Sequence, residues 1–104
     1  MKVLETMPQT AIKEQSIRLI DGSFTASQAA DIINDVLEVK INFHKLQRLA
    51  RTEGNILDHC EFDNGRIEEL IAEQIMAKEF LTQARLQGKK LKMKSTIHFS
   101  VEQE

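Results

Sequence analysis

The sequence predicts an α+β fold in two layers, a helical hairpin packed on a small antiparallel sheet, with the elements in the order β-α-α-β. Three observations carry this. Apolar Leu91, Met93, Ile97, Phe99 and Val101 alternate with polar residues, the period of a half-buried strand. Two long stretches, one from Ala26 and one from about Gly65, contain no proline and space their apolar residues as a helix does. A shorter alternation over residues 16–20 precedes both, so one strand leads into the helices and one follows. Two helices joined by a short loop fold back as an αα-hairpin, which sets the flanking strands antiparallel.

Taken in order, residues 2–7 alternate weakly and Pro8 closes them, which fits an extra N-terminal strand and a frayed end equally. Residues 12–21 read as a strand, in which the run 16–20 places Ile17 and Leu19 on one face, and Asp21-Gly22 then supplies turn chemistry. Thr25-Ala26-Ser27-Gln28 has the spacing of a capping box, so a helix starts at Ala26 and runs to about Arg51. Residues 52–62 then read as a loop pinned by Ile56, Leu57 and Phe62. The second helix extends to Gln87, with Asp63 or Asn64 as its cap, Glu68 and Glu69 in its early turns and Gly88 just past its end. Its inner seam is Ile67, Leu70, Gln74, Ala77, Leu81 and Ala84. In the last strand only Ser95 breaks the apolar row. Ile33, Leu37, Leu70, Leu81, Ile97 and Phe99 each lie on the apolar side of their element and are the expected core.

Composition places the chain among ordinary globular domains. Its 104 residues are 41% hydrophobic and 29% charged with a net charge of −2, so we read residues 1–104 as one domain. A single cysteine excludes an internal disulfide and suits a reducing compartment. No apolar run approaches the roughly 18 residues of a membrane span, and residues 1–5 lack the apolar stretch of a secretory signal, so the expected location is the cytoplasm.

The stretches Asp21-Gly22-Ser23-Phe24-Thr25, Lys40-Ile41-Asn42-Phe43-His44 and Arg66-Ile67-Glu68-Glu69-Leu70 resemble a group of short, uncharacterised bacterial proteins. The resemblance spans roughly residues 16–81 and implies no activity, cofactor or site.

Candidate chemistry is sparse. Lys40, His44, Gln47 and Arg51 continue the angular track that Ala26, Ile33 and Leu37 occupy earlier on the first helix, while the apolar stripe drifts to Phe43, Leu46 and Ala50. A core line that turns polar halfway reads as a helix that outgrows its core, with this track on the surface, or as residues that line a groove or meet a partner. Lys40, Lys45, Arg48 and Arg51 form one basic cluster, and Lys89, Lys90, Lys92 and Lys94 form another. Together they admit a nucleic-acid-binding accessory role, provided they share a face. Against it, residues 53–73 carry many acids and Arg66 as their one base, and the chain has no Trp or Tyr to stack bases.

Asp58-His59-Cys60-Glu61 with Asp63 groups ligand-type side chains, but without spaced zinc pairs or an EF-hand register. Cys60 and His59 are neighbours whose side chains diverge in an extended loop, a poor nucleophile pair. The usual phosphate-loop, hydrolase and dinucleotide motifs are absent. The sequence therefore assigns no catalytic residue, cofactor or metal, and it favours a small non-enzymatic interaction or assembly module. Lys40, His44, Gln47, Arg51, Lys90, Lys92 and Lys94 are its candidate partner-binding residues. Met76 and Phe80 lie off the second helix's inner seam, and with the sheet's uncovered edges they predict a homodimer.

Overall fold

The computed structural model describes residues 14–102. Its elements are β1 (Glu14–Thr25), α1 (Ala26–Gly54), α2 (Glu61–Leu86) and β2 (Lys90–Ser100), and β1 and β2 form a two-stranded antiparallel sheet. The α+β class and the order β-α-α-β are those the sequence predicts. The weak alternation at residues 2–7 lies outside the described residues.

Two compact units are present: a β-ribbon, whose described residues are 14–23 and 92–102, and a helical unit, residues 24–91. In the ribbon, β1 does not turn at Asp21-Gly22 as its chemistry suggests but stays extended to Thr25. The 12 residues of β1 face the 11 of β2, and a matched ladder outweighs a local turn preference. Ile17, Leu19, Ile97 and Phe99 remain between 43% and 47% exposed. The expected burial of Ile97 and Phe99 is thus corrected, because in a two-stranded ribbon each side chain is screened mainly by one cross-strand neighbour.

The helical unit begins with the expected cap. The Gln28 amide donates to Thr25 Oγ1 at 3.1 Å, and the Thr25 amide donates to Gln28 Oε1 at 3.0 Å. From there α1 runs 29 residues, one turn past the expected end at Arg51. No glycine or proline interrupts it before Gly54, and within the last turns the Thr52 hydroxyl finds a local acceptor, donating to the Leu49 carbonyl at 2.9 Å. The connection is therefore only residues 55–60, shaped by two side-chain turns: Asn55 Oδ1 accepts from the Leu57 amide at 3.0 Å, and Asp58 Oδ1 from the Cys60 amide at 2.8 Å.

Cys60, in the left-handed conformation (φ 52°, ψ 44°), opens α2 with no side-chain cap. The caps expected at Asp63 or Asn64 lie inside the helix instead. At its far end α2 stops as predicted. Gly88 sits at φ +67°, its amide donates to the Arg85 carbonyl at 3.0 Å, and the Lys89 amide donates to the Ala84 carbonyl at 2.9 Å. This is a Schellman motif, and only glycine takes that φ without strain.

Ile41, Ile67 and Leu70 are the centre of the core, and Leu37 packs against it. Ala26, Ala29, Leu81 and Ala84 are also buried. Of the expected helical core, Leu70 and Leu81 are buried, whereas Ile33 and Leu37 are half-buried, because two helices alone enclose only the side chains on the line between them.

Candidate functional site: a sealed His44–Asp63 pair and an exposed apolar flank

The inner line of α1 passes from Leu37 and Ile41 to His44, which is 2% exposed, and directly opposite it stands Asp63 on the first turn of α2, 0% exposed. His44 Nδ1 lies 2.9 Å from Asp63 Oδ1. Arg51 Nε, about two turns further along α1, lies 3.2 Å from Asp63 Oδ2, a charge contact outside hydrogen-bond geometry. The Arg51 side chain is 48% exposed, so it links the sealed carboxylate to solvent. Phe43 and Phe62 stand edge-on to the imidazole, with ring centroids 5.1 Å and 5.8 Å away.

Neighbouring bonds fasten the same corner. Arg48 Nη1 donates to Asn64 Oδ1 at 2.8 Å, and Asn64 Nδ2 donates to the His59 carbonyl at 3.0 Å. The buried Cys60 thiol lies 3.7 Å from the Arg48 carbonyl. Burial, and then the Asp58 and Asp63 carboxylates, push this thiol's pKa above its ordinary value of 9.0. Cys60 is held protonated and shielded, the opposite of what a nucleophile needs.

The expected surface track is corrected at His44, which belongs to a buried polar network. The physical reason is Asp63: a buried imidazole is tolerated once a carboxylate accepts its N–H. Lys40 does lie on the surface, Gln47 is half-buried and Arg51 is half-exposed on the carboxylate. Among the four cations of the α1 cluster, Arg48 and Arg51 are engaged inside the chain. Lys90, Lys92 and Lys94 are exposed and alternate along one face of β2. Asp63 is the residue the sequence reading missed as a partner, being taken for a cap; its pairing with a histidine 19 positions earlier leaves no local signal.

His44 Nε2 has no partner and no access to solvent. The dyad therefore offers substrate no reachable atom, and its evident work is to clamp the loop end of the hairpin. Towards the hairpin's open end, a groove of about 640 Å³ runs between the helices, floored by Ala30, Ile33, Leu37 and Leu81. Gln74 reaches into it from α2 and donates to Glu38 Oε2 at 3.0 Å.

The outward faces are more unusual. Val36, Val39, Phe43 and Leu46 on α1 are between 42% and 71% exposed, and on α2 Met76 and Phe80 are 65% and 63% exposed. Lys40 Nζ sits 4.9 Å from the centroid of the Phe43 ring, so the lysine lies over the apolar flank rather than away from it. Among the described residues, no helix is long and apolar enough to cross a membrane. Comparison of the chain with protein-family models, with curated proteins and with solved structures gives no match.

Proposed function

We propose that this protein is a non-enzymatic assembly module that acts as a homodimer and presents its remaining surface to a protein partner. One observation carries the reading: the helical unit turns more large apolar side chains outward than it buries. Ile41, Ile67, Leu70 and Leu81 are the large aliphatic residues it buries, while Val36, Val39, Phe43, Leu46, Met76 and Phe80 are among those left in water. Apolar surface on this scale marks an interaction face, and the commonest way for a small protein to cover it is a twofold dimer. The sealed His44–Asp63 pair supports the same reading, since it stiffens the hairpin without offering a reaction site.

Light scattering at tens of micromolar tests this. A mass of two 11.9 kDa chains is expected, and a mass of one chain defeats the proposal. Phe80→Glu and Phe43→Glu, measured side by side, tell which flank holds the contact. The alternative, nucleic-acid binding, has less support because Arg48 and Arg51 are occupied internally. Binding to nonspecific DNA that weakens steeply with added salt would favour it instead.

A further inference from the structure

The outer flank of α1 carries a second seam, distinct from the inner line that meets α2. Ile32, Val36, Val39, Phe43, Leu46 and Ala50 follow one another at intervals of four, three, four, three and four residues, the a/d spacing of a coiled coil. With Val36, Phe43 and Ala50 as a positions and Ile32, Val39 and Leu46 as d positions, the row contains no polar residue. It spans 19 residues of one unbroken helix, about 28 Å. The large members from Val36 to Leu46 are exposed.

The comparable row on α2, Phe62, Arg66, Glu69, Glu73, Met76 and Phe80, is broken by three charged residues, and each glutamate would face its own copy across a parallel twofold axis. Self-pairing therefore suits α1. Its helix is already formed and held by α2, so pairing does not have to overcome the ordering cost that makes short isolated coiled coils marginal.

The flanking charges choose the direction. In a parallel pair, the residue at g meets the partner's e residue five positions on. Asp35 is at g and Lys40 at e, so each copy's Asp35 meets the other's Lys40, and Asn42 likewise meets Gln47. Neither Asp35 nor Lys40 takes part in an ion pair among the described residues. An antiparallel pair that keeps the six seam residues opposed sets Lys40 against Lys40 instead. From this geometry, and resting on the assembly reading above, we infer that two copies associate through α1 as a parallel, in-register pair along Ile32 to Ala50, with Asp35 and Lys40 setting the direction.

Disulfide trapping tests the pairing separately from the existence of a dimer. Val39 is 71% exposed, so Val39→Cys does not disturb the hairpin, and the buried Cys60 makes the unchanged chain a negative control. In the parallel pair Val39 faces its own copy, so mild oxidation of Val39→Cys gives a covalent dimer. A scattering dimer in which Val39→Cys instead links only to Phe43→Cys chains, or to neither, overturns the parallel seam and leaves the assembly reading standing. A monomer by scattering removes both. As a second measurement, Asp35→Lys weakens the dimer roughly tenfold by placing like charges together, and adding Lys40→Asp restores it. Failure of the double exchange to restore association overturns the assigned direction.

Discussion

The two long faces of α1 are a comparison within one helix. The inner line runs from Ala26 through Ile41 to His44; Ala26, Ala29, Ile41 and His44 are buried on it, and Ile33 and Leu37 are half-buried. The outer line, from Ile32 to Ala50, is wholly apolar, and its large side chains from Val36 to Leu46 stand in water. Hydrophobicity alone does not separate them, since both lines are largely apolar. What decides burial is the neighbour: α2 lies along the inner line, where alanines permit close approach and Asp63 satisfies the imidazole. An apolar row that stays exposed among the described residues is a surface open to a partner.

The sharpest way to break this contrast is to remove the polar anchor of the inner face. Asp63→Ala leaves His44 and Arg51 without their shared carboxylate and should destabilise the fold by about 3–5 kcal/mol in denaturant unfolding. Asp63→Asn, which keeps an acceptor for Nδ1, should lose clearly less. Equal stability of Asp63→Ala and the parent would mean the pair contributes nothing.

Next, Ile41→Ala and Val39→Ala delete side chains two positions apart on opposite sides. Ile41→Ala should cost about 2–5 kcal/mol by opening a cavity at the centre of the core. Val39→Ala should stay within about 0.5 kcal/mol at concentrations too low for association. Similar losses for the two would erase the distinction between inner and outer faces.

A smaller effect acts on the whole helix and both of its faces. Thr25→Ala removes the capping box and should cost about 1 kcal/mol, read as a lower unfolding midpoint with unchanged slope. The smallest effect concerns the closed end. The Cys60 pKa is higher folded than unfolded, so its contribution to stability is complete below the unfolded value and is lost as pH rises through the folded one. The parent should therefore lose stability more steeply than Cys60→Ala above that pH. Parallel curves from pH 8 to 10 would show that the thiol is not shielded.

Much of the fold was legible because its signals are local. The capping box at Thr25, the stop at Gly88 and the alternation of β2 each need only a few consecutive residues, and each sits where those residues indicate. The turn at Asp21-Gly22 was equally local, yet it failed, because a strand that finds a partner along its length overrides a two-residue preference. At the candidate site, the polar residues that interrupt the core track of α1 pointed to the right helix face but not to the reason. His44 looks like a surface residue until Asp63 is set beside it by the hairpin.

By itself, then, the amino-acid order determined the class, the order of elements, both helix faces and the heptad spacing of the outer seam, since all of these follow from periods of two and of three to four residues. Only the tertiary structure decided that the inner seam of α1 continues as core through Ile41 to His44, that this histidine meets an aspartate 19 residues away inside it, and that Ile97 and Phe99 keep nearly half their surface. The reason is that periodicity records which way a side chain points along its own element, while burial depends on what another part of the chain places in front of it.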